Sequence, residues 1–263
     1  MSAAATVATA LDPTAFVDFK LKSVEKLTPN TSKFIFELPE DQVLGMTVAS
    51  CLMTKFVNEE GKAVIRPYTP TSEADVKGSF EFVVKKYDTG VMSGHIHNLK
   101  VGETLAIKGP MTKYALKPNQ HESISLIAGG TGIAPMFQLI AGILQNKDDK
   151  TKIHLIFGNV SAHDIILKDE IDAFAKAHPE QFKVTYVIDS ASEGWEGETG
   201  YITAEMIKKL IPEIGSAGNQ VFVCGPPPMM VAVSGPKGPN YTQGEVSGAL
   251  QELGLTIEQV YKF

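Results

Sequence analysis

Short runs in which hydrophobic and polar residues alternate dominate the first part of the chain. They are rich in β-branched and aromatic residues and are separated by glycine, proline, asparagine and aspartate, a pattern typical of β-strands. The predicted strands are residues 16–27, 33–38, 48–57, 79–87 and 103–109, and one helix is predicted at residues 92–100. Several short strands within about 110 residues predict a small antiparallel barrel.

The pattern changes after residues 113–122, a polar segment that contains a proline and is predicted to be a linker. Beyond it, strand-like and helix-like runs alternate. The predicted strands are residues 123–129, 152–159, 183–189 and 220–225, and the predicted helices are residues 134–146, 168–178, 203–211 and 227–234. Such alternation predicts a parallel sheet with helices on both faces, as in nucleotide-binding domains. We therefore divide the chain into a tail (1–14), a barrel (15–112), the linker (113–122) and an α/β domain (123–263).

Composition narrows the class of protein. The chain of 263 residues is 43% hydrophobic and 21% charged, values typical of soluble globular proteins. Its net charge of −6 argues against a nucleic-acid partner. Cys51 and Cys224 are too few for a disulfide framework, which favours a reducing compartment. No run approaches the roughly 20 apolar residues of a membrane span, and the first residues lack the features of a secretory or mitochondrial targeting signal.

The segment LIAGGTGIAPMFQLI (126–140) places glycines between a hydrophobic strand and a helix. Gly129, Gly130 and Gly132 allow a sharp turn and the close approach of a phosphate, and the helix N-terminus supplies free N–H groups. The segment does not match the G-x-G-x-x-G fingerprint of dinucleotide-binding folds. An anion site and a purely structural turn therefore both stay open.

A second segment, VFVCGPPPMM (221–230), follows the last predicted strand. Parallel sheets bind ligands at the carboxyl ends of their strands, so Cys224, Gly225 and the prolines are expected to line a crevice. The alternative is a rigid loop with a buried cysteine. Asp189 also ends a strand, where its carboxylate can accept hydrogen bonds from a ribose diol and would repel a 2′-phosphate.

The segment RPYTPTS (66–72) combines two prolines with many hydrogen-bonding groups. Arg66 offers a planar fork for a phosphate, Tyr68 a flat face and a hydroxyl, and Thr69 a small donor and acceptor. Two prolines should break up regular structure, and the structural alternative is a turn at an edge strand. The segment TGVMSGHI (89–96) adds a second helix N-terminus, which suits a pyrophosphate.

Taken together, these motifs are much more specific than any one of them. RPYTPTS, VVKKY, GVMS, GGTGIAP and CGPPPM, in this order, resemble the NADH–cytochrome b5 reductase family. The resemblance runs from Phe16 to Phe263, and the segments ASCLMTKFV, NVSAHDIILKDEID and GEVSGALQELGLTIEQVYKF are most similar to the fungal mitochondrial form. It implies a six-stranded antiparallel FAD-binding barrel followed by a ferredoxin-reductase-like NADH-binding domain. It also implies hydride transfer from NADH to FAD and single-electron transfer to cytochrome b5.

The resemblance implies roles for particular residues. Arg66 would pair with an FAD phosphate, Tyr68 would pack on the isoalloxazine or the ribityl chain, and Thr69 would hydrogen-bond near flavin N5. Thr131 would lie near the nicotinamide, and Asp189 would favour NADH over NADPH. The implied cofactor-binding residues are Arg66, Pro67, Tyr68, Thr69, Val83, Lys85, Val91, Met92, Ser93, Gly129, Gly130, Thr131, Gly132, Asp189, Cys224, Gly225, Pro226, Met229 and Phe263. The implied catalytic residues are Thr69, Lys85 and Cys224, and no metal site is expected.

Two positions depart from the family pattern. Val91 stands where a lysine that helps to dock the acidic cytochrome is common, and Ala134 stands where relatives often have a threonine that contacts FAD. Because cytochrome b5 is acidic and this chain is negative overall, docking would require a local basic face. Lys85, Lys86 and Lys113 are the expected contributors to that face.

The implied setting is a monomer in the mitochondrial intermembrane space or at the outer membrane, with the cytosolic face of the endoplasmic reticulum as the alternative. Two other functions stay open. One is an NAD(P)H–flavin reductase module that serves another haem or metal-centre acceptor. The other is a nucleotide-binding protein without turnover, which would purify without colour.

Overall fold

The computed structural model describes residues 8–191 and 193–263 and divides the chain into two compact units between Ala115 and Leu116. Residues 1–7 of the predicted tail lie outside the described part. Within the rest of that tail, the Ala10 N–H donates to the Val43 carbonyl at 3.0 Å. The predicted domain limits and the linker stay predictions.

The first unit is a six-stranded antiparallel sheet with one helix, which confirms the predicted fold class. Its strands are β1 (Val17–Thr28), β2 (Thr31–Glu37), β3 (Ser50–Val57), β4 (Ala63–Tyr68), β5 (Ser79–Lys85) and β6 (Thr104–Thr112), and its helix is α1 (Val91–Asn98). The strand order is β4-β3-β6-β1-β2-β5, so β4 and β5 are the two edges. Strand β4 was not among the predicted strands.

Phenylalanines on one face of neighbouring strands form the core of this unit. Phe34 of β2 lies opposite Phe82 of β5, and Phe36 lies opposite Phe80. All four rings are at most 1% exposed. Because successive strand residues point to opposite faces, the alternating sequence pattern places these rings together on the inner face. Each buried ring contributes roughly 1.5–3 kcal/mol of apolar burial.

The RPYTPTS segment connects the two edges of this sheet. The expectation that its prolines break regular structure is wrong for residues 66–68, which belong to β4. An edge strand tolerates Pro67 because one row of its N–H groups has no partner strand. After the strand ends, the Thr71 N–H donates to the Glu81 carbonyl of β5 at 3.0 Å.

The second unit is a six-stranded sheet in which all neighbouring strands are parallel, as the strand–helix alternation predicted. Its strands are β7 (Ser123–Gly129), β8 (Lys152–Asn159), β9 (Phe182–Ile188), β10 (Glu198–Thr199), β11 (Asn219–Cys224) and β12 (Val260–Lys262). Its helices are α2 (Ile133–Leu144), α3 (Lys168–Ala177), α4 (Ala204–Leu210), α5 (Pro227–Val233) and α6 (Gly248–Glu252). The sequence patterns did not predict β10, α6 or β12.

The strand order β10-β9-β8-β7-β11-β12 makes β7 a central strand. Nearly all of β7 is buried, which explains its continuous apolar sequence, since helices cover both faces of a parallel sheet. All strands run in the same direction, so the segments that follow β7, β9, β11 and β12 emerge at one edge of the sheet. We call this the carboxyl edge.

Candidate functional site

The glycine turn after β7 forms the centre of the carboxyl edge. Residues 130–132 make a 3₁₀ turn that leads directly into α2, whose N-cap residue, Gly132, has no side chain to cap it. The Ile133 N–H donates to the Gly130 and Thr131 carbonyls and Pro135 has no N–H, so the turn offers an anion mainly the positive dipole end of α2 and its open backbone. Gly130 has φ +51° and nothing beside its missing Cβ within 4 Å, so the backbone is open to close approach there.

The turn packs directly against the segment that follows β11. A Cβ on Gly132 would lie 2.2 Å from the Cys224 carbonyl oxygen. A Cβ on Gly129 would lie 2.3 Å from the sulfur of Met229, and one on Gly225 would lie 2.6 Å from the same sulfur. The structure therefore brings together two predicted motifs that are about 90 residues apart in the sequence. Thr131 and Pro226 lie in these same two segments.

Cys224 ends β11 beside this turn. The residue is half-buried, and burial of its thiol raises the pKa to about 12, with Lys237 acting in the opposite direction. The thiol is therefore protonated at neutral pH, and it can pack against a ligand but cannot serve as a thiolate nucleophile. A role for Cys224 in the reaction would come from its neutral thiol, through packing or as a weak hydrogen-bond donor.

We expect alkylation of Cys224 by iodoacetamide to quicken about tenfold for each pH unit between pH 7 and pH 10. The thiolate fraction rises in this way at every pH well below the pKa, whereas an ordinary thiol with a pKa of about 8.5 levels off near pH 9. Timed alkylation followed by peptide mass spectrometry measures the rate at Cys224 separately from Cys51. The unfolded chain is the control, and a plateau near pH 9 in the native protein would contradict the raised pKa.

Asp189 lies on the same edge, two strands away from the glycine turn, and directly follows β9. It is exposed, and its backbone N–H donates to the Val160 carbonyl at 3.3 Å. Within the described residues, no ion pair involves its carboxylate. An exposed carboxylate at this place can accept hydrogen bonds from the hydroxyls of a ribose.

The C-terminal residues are fixed at the other end of this edge. The Phe263 N–H donates to the Val223 carbonyl at 3.0 Å, and the Phe263 ring stacks on Phe222 with centroids 5.8 Å apart. Lys262 is 1% exposed, and its ammonium donates to the Glu245 carbonyl at 2.7 Å. Lys262 was not among the predicted site residues, because a lysine near a chain end usually lies in solvent.

In the first unit, the predicted residues of RPYTPTS lie at the end of β4. Arg66 and Pro67 are exposed, and Arg66 Nη1 donates to the Ile65 carbonyl at 2.8 Å. Tyr68 is half-buried, with its ring centroid 5.7 Å from that of Phe82. Burial raises the pKa of Tyr68 to about 12, so its phenol stays protonated and can donate a hydrogen bond. Thr69 follows directly and is half-buried.

Helix α1 places the other predicted residues of this unit near the same strands, since it packs against both β4 and β5. Its first turn consists of Val91, Met92 and Ser93, and it contains no acidic residue and no side-chain cap. The first N–H groups of α1 can therefore receive an anion. On β5, Val83 is buried and Lys85 is half-buried.

The polar groups of both units suit dinucleotide cofactors. A guanidinium, the first turn of α1 and the positive dipole end of α2 match phosphates, and an exposed carboxylate matches a ribose diol. In the described part of the chain, no group of three or more His, Cys, Asp or Glu side chains is placed to hold a metal ion. Among residues 8–191 and 193–263, no helix combines the length and the apolar character needed to cross a membrane.

Known proteins resemble the chain in both units. The family described as Oxidoreductase FAD-binding domain matches residues 18–115, and the Oxidoreductase NAD-binding domain matches residues 126–235. A Yarrowia lipolytica protein named NADH-cytochrome b5 reductase 2 is 54% identical over 249 residues, which cover 94% of this chain and 86% of that protein. The Debaryomyces hansenii protein of the same name is 52% identical, with 94% and 83% covered. The crystal structure of the cytochrome b5 reductase domain of Ulva prolifera nitrate reductase matches with a TM-score of 0.81 and 29% identity, covering 97% of this chain and 100% of that one.

Proposed function

The chain belongs to the NADH–cytochrome b5 reductase family, and we propose that it oxidises NADH and passes single electrons to cytochrome b5. It is an oxidoreductase with an FAD-binding and an NAD-binding domain. When bound, the two cofactors supply the redox chemistry, because NADH gives up a hydride and FAD can accept it and release electrons singly. The protein's contribution is to bind and orient them.

The packing of the glycine turn against the end of β11 is the observation that carries this proposal. It places the glycine turn at the start of α2 beside Cys224. The parallel pairing of β7, β8 and β9 brings Asp189 to the same edge. The N-terminus of α2 would bind the pyrophosphate of NADH, and Asp189 would accept hydrogen bonds from the adenine ribose. Thr131, Cys224 and Pro226 would then lie against the nicotinamide half of the same molecule.

In the barrel, several of the predicted residues would match particular chemical groups of FAD. Arg66 and the first turn of α1 would bind the phosphates, and Tyr68 would offer a flat face and a protonated hydroxyl to the flavin. The Thr69 hydroxyl would donate a hydrogen bond toward flavin N5. No acid–base pair is required in this scheme, because hydride transfer depends on proximity and orientation.

The acceptor and the cellular setting form the less specific part of the proposal. The names of the fungal relatives support cytochrome b5 as the acceptor, and Lys85, Lys86 and Lys113 are proposed to contribute to its docking face. We also propose a monomer and a mitochondrial location, with the cytosolic face of the endoplasmic reticulum as the alternative. Sedimentation of the purified protein and fractionation of cells that express a tagged chain would test these two points.

The visible spectrum of the purified protein tests the proposal. We expect a flavin band that bleaches when NADH is added without oxygen and returns when oxidised cytochrome b5 is added. If the band bleaches but cytochrome b5 does not restore it, the chain serves another haem or metal-centre acceptor. The absence of flavin after reconstitution with FAD would contradict the enzyme proposal and favour a nucleotide-binding protein without turnover.

A further inference from the structure

A compact loop, residues 235–247, joins α5 to α6 in the second unit, and we call it the α5–α6 loop. The Ser247 N–H donates to the Ser234 carbonyl at 3.1 Å, so the two ends of the loop lie close together. Within the loop, the Gly238 N–H donates to the Thr242 carbonyl at 3.0 Å. Loops whose ends are close and whose own residues pack together are frequently functional.

Two side chains fix this loop to β12. The buried ammonium of Lys262 donates to the Glu245 carbonyl at 2.7 Å and to the Pro236 carbonyl at 3.2 Å, near opposite ends of the loop. The Gln243 side chain donates to the Lys262 carbonyl at 3.1 Å and accepts from the Lys262 N–H at 2.6 Å. Because β12 is an edge strand, Gln243 takes the place of a neighbouring strand. A buried ammonium requires acceptors, so Lys262 and the loop hold each other in place.

The same contacts determine where Lys237 lies. It directly follows Pro236, and Lys262 pairs with Val223, the residue before Cys224. Lys237 is half-buried and therefore lies near the end of β11, at the carboxyl edge. Burial raises the pKa of the Cys224 thiol, and the charge of Lys237 lowers it. Burial and the charge of Lys237 both lower the pKa of Lys262, as expected for a cation close to both groups.

The place of Lys237 is important because the neighbouring segments have no cationic side chain. Residues 129–135 and residues 224–230 contain neither lysine nor arginine. The positive end of α2 is only a partial charge, whereas an ammonium meets a phosphate with a full charge. The nicotinamide half of NADH is proposed to lie against Cys224, so the phosphate on that half is the anion that would come closest to Lys237.

We propose that Lys237 binds the phosphate on the nicotinamide half of NADH, and that Lys262 is a positioning residue that holds the α5–α6 loop in place for it. The inference rests on the proposed function and adds two residues that were not among the predicted site residues. Lys262 itself does not touch the cofactor. Lys237 contributes to the binding of NADH, so its loss affects only hydride donors that carry a phosphate.

Three hydride donors test this inference in the FAD-loaded protein. NADH has two phosphates, dihydronicotinamide mononucleotide has one, and dihydronicotinamide riboside has none. The second-order rate constant for reduction of the flavin is measured without oxygen. We expect Lys237→Gln and Lys262→Met each to lower it about tenfold for NADH and for the mononucleotide, since hydrogen bonds to charged groups contribute this much. For the riboside it should change by less than about twofold.

Lys147→Gln is the matched control. It removes the same charge from an exposed site in the loop before β8, at the opposite edge of the sheet, and should change none of the three rate constants. Unchanged reduction by NADH and by the mononucleotide in Lys237→Gln would overturn the inference alone. An equal loss with all three donors would also overturn it, since it would indicate general damage to the carboxyl edge. If NADH does not reduce the flavin of the unsubstituted chain, the proposed function fails and the inference with it.

Alkylation of Cys224 tests the position of Lys237 without any turnover. We expect Lys237→Gln to slow the reaction of Cys224 with iodoacetamide at pH 8 about threefold, because loss of a nearby positive charge lowers the thiolate fraction. Lys147→Gln should leave the rate unchanged. Trypsin should cleave after Lys237 faster in Lys262→Met than in the unsubstituted chain, because the loop is released. An unchanged alkylation rate in Lys237→Gln would overturn the inference whatever the activity, and unchanged cleavage would overturn the role of Lys262.

Discussion

Gly132→Ala is expected to abolish the reduction of the flavin by NADH and to lower the free energy of unfolding by about 3 kcal/mol. The added Cβ would lie 2.2 Å from the Cys224 carbonyl oxygen, 2.5 Å from the Cys224 carbonyl carbon and 2.8 Å from the Gly225 nitrogen. These are backbone atoms and cannot rotate away as a side chain can. The start of α2 would have to move away from β11, which would displace the N–H groups proposed to hold the NADH pyrophosphate.

Gly158→Ala is the matched control for this prediction. Its Cβ would meet the tip of the Ile202 side chain at 3.2 Å, and that tip can shift by a small rotation. We expect the free energy of unfolding to fall by less than about 1 kcal/mol. NADH should still reduce the flavin. Urea unfolding measures the stability of both variants, and anaerobic mixing with NADH measures flavin reduction. A Gly132→Ala variant that is as stable and as active as the unsubstituted chain would contradict the close packing.

Asp189→Ser is expected to lower the preference for NADH over NADPH about a hundredfold. The Asp189 carboxylate is exposed at the carboxyl edge. There it would accept hydrogen bonds from the ribose diol of NADH and repel the 2′-phosphate of NADPH. Like charges brought together at a binding site cost several kcal/mol, and a hundredfold change corresponds to about 2.7 kcal/mol. Most of the change should come from better use of NADPH, because serine can still hydrogen-bond a hydroxyl.

The measurement is the ratio of kcat/KM for NADH to that for NADPH, at constant ionic strength because salt screens exposed charges. Asp148→Ser is the control. It removes the same charge from an exposed site in the loop before β8, at the opposite edge of the sheet. If both substitutions change the ratio equally, net charge alone sets the preference and Asp189 has no specific role.

Local patterns in the sequence determined most of the strands and helices. Alternation predicted the strands at 33–38 and 79–87, which became β2 and β5, and the apolar run at residues 123–129 predicted the buried strand β7. Glycine and proline marked the turns where predicted site residues lie. These features depend on a residue and its near neighbours, so a single sequence is sufficient to read them.

Elements that depend on a distant partner could not be predicted in this way. Strand β12 has three residues and is a strand because it pairs with β11. Strand β4 contains Pro67 and was not among the predicted strands, although its position at the sheet edge accommodates a residue without an N–H. Lys262 can be buried because its ammonium donates to the Pro236 and Glu245 carbonyls, which lie far from it in the sequence.

The candidate site residues show the same division between what local sequence determines and what distant contacts determine. The sequence by itself determined which residues have the chemistry to bind phosphates, a ribose or a flat ring, because that chemistry belongs to the side chains and to glycine. Only the tertiary structure decided that Gly132 touches Cys224. The reason is that strand order and register fix contacts between segments far apart in the chain, and no local preference encodes either of them.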